Sequence, residues 1–370
     1  MTNRTLLVLV FATFLGIQLF AQENPSGEWP AYGRGGGGDR FSSLSQINRG
    51  NVGQLKNVWT YRTGDVAARG KTRSTSAFQM TPIMVDGTLY LTTPFNRVMA
   101  LDPGTGKEKW VFDPKIDLGR GYHNQLNSRG LSTWLDSNRK KDERCRRRIF
   151  IGTNDARLIS IDAATGTKCT DFGNGGEIDL AKGMGVSKTS PGEYGLTSPP
   201  AIVNDVVIVG AAIGDNNRVT APSGAVRAFD VRSGKLRWAW DPVPPGYERQ
   251  AKKNPKTEAG FYMGTANVWS VISVDEKRNL VFLPTGNTSP DYYGGERNGI
   301  DYYSSSVVAL NAKTGDVVWH FQTVHHDVWD FDIPAQPALI TVTKNGKRIP
   351  AVAVATKMGH LFLFGGQKVS

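Results

Sequence analysis

Apolar positions in this chain come in short runs separated by polar turns. TPIMVDGTLYLTT (81–93) and PPAIVNDVVIVGAA (199–212) each hold two such runs, joined at Asp86-Gly87 and Asn204-Asp205. Runs of this length with a two-residue Asn/Asp/Gly connection predict antiparallel hairpins. A second hairpin phrase recurs. It reads ALDPGTGKEKW up to Trp110, AFDVRSGKLRW up to Trp238 and ALNAKTGDVVW up to Trp319, with a degenerate copy in SIDAATGTKCTDF (160–172). Trp59, in NVGQLKNVWTY, stands in the equivalent place. In the full copies an Asp or Asn caps the turn, and a Gly supplies the positive φ that side chains resist. The Trp then falls on the next strand, where its ring packs against a neighbouring repeat.

Two hairpins per unit make about four strands, the size of a propeller blade. The pattern therefore predicts an all-β chain, a β-propeller of four-stranded blades. Long insertions fall at 113–148, 173–196, 213–222, 241–266, 287–303 and 321–335. Propeller loops on one face carry the function, so the chemistry is expected there. The 42 Gly, 19 Pro and 10% aromatic residues suit many short strands and tight turns.

The N-terminus bears on location. Arg4, an apolar run from Leu6 to Phe20 and the small Ala21 read as a signal peptide over 1–21. That leaves 22–370 as one domain and predicts export to the periplasm. An uncleaved anchor is the alternative, although the run is shorter than the roughly 20 residues a span needs. Cys145 and Cys169 flank RRRIFIGTNDARLISIDAATGTK, itself a predicted hairpin, so an exported chain is expected to join them in a disulfide. The net charge is +11, with a basic run, RKKDERCRRR, at 139–148. In an exported protein this reads as a solvated loop or a contact with an anionic membrane surface, not as a nucleic-acid site.

One connection concentrates chemistry: HHDVWDFD (325–332) directly follows a predicted strand. With its flanks it reads FQTVHHDVWDFDIPAQPAL. Together with the opening WPAYGRGGGGDRFSSLSQINRGNVGQLKNVWTYRTGD and the Trp-bearing repeat, it makes residues 29 to about 363 resemble the pyrroloquinoline quinone (PQQ)-dependent dehydrogenases. This is the quinoprotein alcohol and glucose dehydrogenase family. The likeness is greatest to the periplasmic part of membrane-bound glucose dehydrogenase. The resemblance implies an eight-bladed propeller, of which the repeats here supply about half to five blades. The ending LFLFGGQKVS departs from the repeat, so the chain reads as a C-terminally truncated relative.

What the resemblance implies for chemistry is specific. PQQ and Ca²⁺, with Mg²⁺ as the alternative ion, would serve the oxidation of a sugar, polyol or alcohol hydroxyl. Hydride would pass to PQQ and electrons to ubiquinone or a cytochrome. Asp330 matches the family's catalytic base and Lys357, in ATKMGHLFLF, the lysine that contacts the quinone oxygens. A turn cap and a surface charge are their plain alternatives. Asp327 is the second candidate base, with loop orientation as its other role. His325 and His326 are candidate metal ligands or loop residues. Trp269 matches the ring on which PQQ stacks, against a core tryptophan as the alternative. Asp215 and Asn216 in GAAIGDNN, and Asn287 and Thr288 in GNTSPD, match the metal-binding loops, although such segments also form ordinary turns. Arg129 in NSRGLSTW would pair with a PQQ carboxylate or quinone oxygen. Thr197 and Gln79 would hydrogen-bond the cofactor; Gln79 occupies a position that is often glutamate. HNQL (123–126) stands where the alcohol branch carries vicinal cysteines, which points to the glucose or polyol side. No Cys-x-x-Cys-His occurs in these residues, so no covalent haem site is visible. Two alternatives stand beside the enzyme: a non-catalytic propeller scaffold of outer-membrane protein assembly, and an inactive truncated relative. A scaffold has no need of Asp330, Lys357, Trp269 and Arg129 together.

Overall fold

A computed structural model describes residues 27–216, 218–247 and 255–365. The expected signal peptide over 1–21 lies outside the described residues. The strands group into successive antiparallel sheets in chain order. The first holds β1 (Ile83–Val85), β2 (Thr88–Thr92), β3 (Val98–Leu101) and β4 (Glu108–Phe112). The second holds β5 (Ser132–Leu135), β6 (Arg147–Gly152), β7 (Arg157–Asp162) and β8 (Glu177–Asp179). A short ladder pairs β9 (Tyr194–Gly195) with β12 (Ala212–Ile213) beside the third sheet. That sheet is β10 (Ala201–Val203), β11 (Val206–Val209), β13 (Val226–Asp230) and β14 (Leu236–Trp240). The fourth is β15 (Ser273–Asp275), β16 (Leu280–Pro284), β17 (Ser306–Asn311) and β18 (Val317–Gln322). The fifth is three-stranded: β19 (Ala338–Lys344), β20 (Lys347–Ala355) and β21 (Leu361–Gly365). LFLF, which departs from the repeat in sequence, forms this last strand.

The first strands of neighbouring sheets lie side by side, β5 against β10, β10 against β15 and β15 against β19. This is the radial arrangement of propeller blades. Apolar clusters fill the space between consecutive sheets: Ile83, Val98, Ile149 and Ile161 join the first to the second, and Ile208, Trp238, Val281 and Val308 join the third to the fourth. The N-terminal segment crosses the hub. Trp29 bridges Met84, then Gly36 and Gly37 accept hydrogen bonds from Val274 and Leu339 at 2.9 and 2.8 Å. A Cβ on Gly36 would meet Val274 at 2.3 Å, so the glycine run is what permits this approach.

The recurring phrase does what its residues predict. Asp102, Asp162 and Asp230 each accept a backbone N–H three residues on, at 2.8 Å. Gly106, Gly166, Gly234 and Gly315 follow at φ +69, +72, +69 and +77°. The Trp that ends one sheet docks on this turn in the next. Trp59 donates its indole N–H to Pro103 at 3.1 Å, Trp110 to Ala163 at 3.1 Å and Trp238 to Ala312 at 2.9 Å. The degenerate copy lacks the Trp, and there Gly173 N–H bonds Ser233 directly at 3.0 Å. The Trp319 N–H is buried with no partner among the described residues.

Cys145 and Cys169 are disulfide-bonded, their Cα atoms 5.8 Å apart, across the ends of the β6–β7 hairpin. The basic run is not simply a solvated loop. Arg148 is fully buried and pairs with Asp171 at 2.6 Å, Arg139 shares that carboxylate at 2.5 Å, and Arg147 pairs with Asp86 at 2.8 Å. Local acids absorb much of the charge, and the run's last two residues, Arg147 and Arg148, open β6.

Candidate active site

In a four-stranded blade, the connection from second to third strand and the connection to the next blade leave the same face. Every candidate residue lies in one of these two kinds of connection. Asp215–Asn216, Asn287–Thr288 and Lys357 sit between second and third strands of the third, fourth and fifth sheets. Gln79, Arg129, Thr197, Trp269 and Asp330 sit in the segments that lead into the first strands.

These loops converge. Trp269 is half-buried, with the Arg129 guanidinium 5.0 Å from its ring centroid. Arg129 is fixed by Thr197, whose hydroxyl accepts from Nη1 at 2.7 Å, and burial lowers the arginine's pKa. At the other side of the indole, Trp269 Nε1 donates to Asp332 Oδ2 at 2.5 Å. Asp332 forms an ion pair with Lys357, whose ammonium also reaches Asp330 at 2.8 Å on the carbonyl and 3.2 Å on the carboxylate. Burial opposes the charge on Lys357, but Asp332 and Asp330 outweigh it and raise its pKa. Asp330 has φ +58°, a conformation aspartate tolerates better than most side chains.

Beside this line lies an acidic pocket. Burial first, then the charges of Asp332 and Asp330, push Asp215 up to about 7 against the hydrogen bond that Asn267 donates to it at 2.6 Å. Burial and the charges of Asp215, Asp330 and Asp332 push Asp291 up to about 9. One end of the Asn216 amide lies 3.0 Å from Asp215 Oδ1 and also against Asp291. The amide nitrogen, placed there, donates to both carboxylates. Asn267 Oδ1, Thr288 Oγ1 and Asp291 Oδ1 are buried without hydrogen-bond partners. Several oxygens, two carboxylates and orphaned acceptors fit a hard divalent cation such as calcium.

Asn287 is buried and braces the loops. Its amide nitrogen bonds the carbonyls of Asp291 at 3.1 Å and Asp327 at 3.0 Å, while its oxygen accepts from Thr288 N–H at 2.9 Å. Asp327 is buried as well, holding Ser305 at 2.7 Å and Trp329 N–H at 2.9 Å. That is the loop-orienting role. His325 bonds Gln322 at 2.9 Å and His326 bonds Asp301 at 2.8 Å, so both are tied to their own surroundings. Gln79 is the outlier. Thr81 N–H bonds Arg129 O at 3.0 Å, so its segment runs beside the Arg129 loop, but the Gln79 side chain is exposed and no hydrogen bond joins it to the other candidates among the described residues. A cavity of about 1130 Å³ runs along the inner strands past Tyr32, Trp134 and Ile272 and is lined by none of the candidates.

Sequence reasoning missed Asp332, Asp291 and Asn267. Asp332 stands two residues after Asp330, Asp291 closes GNTSPD and Asn267 stands two before Trp269. Their proximity to named candidates was the available signal.

Fold and site together define a β-propeller whose loop face gathers buried carboxylates beside Lys357, Arg129 and Trp269. The model of the PQQ glucose/ethanol/alcohol dehydrogenase β-propeller domain matches residues 29–368, and the chain belongs to that family. It is 40% identical over 341 residues to the quinoprotein glucose dehydrogenase of Escherichia coli (strain K12), covering 91% of this chain and 42% of that protein. It is 38% identical over 348 residues to quinoprotein glucose dehydrogenase A of Acinetobacter calcoaceticus, covering 91% and 43%. It is 40% identical over 343 residues to the glycerol dehydrogenase large subunit of Gluconobacter oxydans (strain 621H), covering 91% and 45%. The crystal structure of quinohemoprotein alcohol dehydrogenase from Comamonas testosteroni superposes with a TM-score of 0.76 at 26% identity, covering 95% of this chain and 49% of that one. The chain thus spans less than half the length of the curated relatives it matches.

Proposed function

We propose that this chain binds PQQ and a divalent cation, calcium before magnesium, and oxidises a CH–OH group of a sugar or polyol. The observation that carries the reading is the unbroken line of contacts from Arg129 across Trp269 and Asp332 to Lys357 and Asp330. PQQ, when bound, supplies the hydride acceptor. The half-buried ring of Trp269 would offer a flat platform, and Arg129, held by Thr197, a planar cationic partner for its carboxylates or quinone oxygens. Lys357 would supply an ammonium to the quinone. Asp215, Thr288 and Asp291 would offer oxygens to the cation, with Asn216 and Asn287 on the same loops. Asp330 takes the substrate hydroxyl's proton on its carboxylate, the one carboxylate of the line with a third of its surface open.

The signal-like opening supports residence in the periplasm, and the family resemblance supports ubiquinone or a cytochrome as electron acceptor. Reconstitution tests the reading. The chain is mixed with PQQ and calcium, and dye reduction is followed with glucose, other aldoses, polyols and simple alcohols. Turnover that requires both additions is expected. A folded chain that binds no PQQ overturns it.

A further inference from the structure

We propose that Asp332 is a positioning residue whose carboxylate ties the indole of Trp269 to the ammonium of Lys357, so that platform and lysine are set as one unit. The side chain of Asp332 is 3% exposed. Its Oδ2 accepts the Trp269 N–H at 2.5 Å and its Oδ1 pairs with Lys357. Both oxygens are therefore engaged with donors. With 3% of its side-chain surface exposed, against 33% for Asp330, Asp332 is closed to a substrate hydroxyl, and this separates the two in role.

A buried carboxylate is unfavourable unless paired and hydrogen-bonded. Here the two partners that compensate it are the two groups that would hold the cofactor. The N–H bond fixes the rotation of the indole, with Arg129 on its face at 5.0 Å. The ion pair brings Lys357 to where it also meets Asp330. Burial raises the Asp332 pKa while Lys357 and Trp269 oppose the rise, which is the same coupling seen in charge.

The inference rests on the proposed PQQ site, so its first test uses the chain without cofactor. The protein is labelled with ¹⁵N-tryptophan, and the Trp269 indole signal is assigned by its loss in Trp269→Phe. That signal is expected to shift both in Asp332→Asn, which keeps the shape and removes the charge, and in Lys357→Ala. A signal unmoved by either substitution overturns the proposal. The second test is equilibrium PQQ binding in calcium. Asp332→Asn is expected to weaken binding about 10- to 100-fold, the range for losing a partner behind a contacting ligand, and Lys357→Ala, which removes the contact itself, at least as much. The double variant is expected to be no weaker than the weaker single one. Additive losses count against the coupling. A wild-type chain that binds no PQQ refutes the functional reading and leaves the indole signal to decide this one.

Discussion

Lys357 grips Asp330 at two points, donating to its backbone carbonyl at 2.8 Å and its carboxylate at 3.2 Å. The two side chains keep 30% and 33% of their surface, so the carboxylate is held in place yet open to a hydroxyl. Asp330→Asn keeps the shape and removes the base. Turnover is expected to fall by about 10²- to 10⁴-fold, the range for general-base catalysis, with PQQ binding changed only a few-fold. Dye-coupled rates beside equilibrium cofactor binding check both halves. Asp327 is no substitute, because it is buried and its oxygens already hold Ser305 and Trp329.

The acidic pocket sets a pH dependence. Asp215 at about 7 and Asp291 at about 9 are raised above the ordinary carboxylate value. Groups shifted upward stabilise the fold below the unfolded pKa, and that contribution is lost as pH rises through the folded values. In EDTA, the unfolding temperature is expected to fall between pH 6 and pH 9.5. Calcium replaces the protons, so its stabilising effect is expected to be larger at pH 9 than at pH 6. Asp291→Asn should flatten both trends. Thermal unfolding with EDTA or calcium across this range makes the comparison, and a calcium effect independent of pH and of Asp291 argues against a cation here.

Gly166 tests the docking that joins the blades. It has φ +72°, and a Cβ there would lie 2.6 Å from the ring of Trp110. Gly166→Ala combines a strained backbone with a clash against a ring whose N–H already bonds Ala163. The expected loss is about 1–3 kcal/mol, read as a lower urea midpoint. An unchanged midpoint would mean that the Trp110 ring moves without penalty.

The repeat was legible in sequence because its causes are local. An Asp three residues before the N–H it caps, and a Gly at positive φ, act within one turn. The insertions pointed to one face for the same reason: strand alternation fixes where each loop exits. Asp332, Asp291 and Asn267 were hidden because burial defines them, and burial comes from segments far apart in the chain. Asp332 became a partner of Lys357 and Trp269 only once the turn between β20 and β21 met the loop before β15. Arg148 misled in the opposite sense, since a basic run gives no sign that one member turns inward to Asp171. Gln79 sits on the expected segment, but its side chain is exposed.

Asp241 lies away from the site and gives an independent test of the electrostatics. Its Oδ2 accepts Tyr262 N–H at 2.8 Å, while Oδ1 is buried without a hydrogen-bond partner among the described residues. Burial pushes its pKa up to about 7, against the hydrogen bond from Tyr262 and the charge of Lys256. The sign follows as for any raised carboxylate: its contribution is complete below about pH 4 and is lost as pH rises through about 7. Asp241→Asn keeps an acceptor for Tyr262 and removes the charge that burial disfavours. The variant is expected to be more stable than wild type at pH 8 and to lose that advantage by pH 5. Urea unfolding at the two pH values measures the difference. A gap of equal size at both would show that Asp241 is already charged at pH 5, and that Lys256 compensates its burial fully.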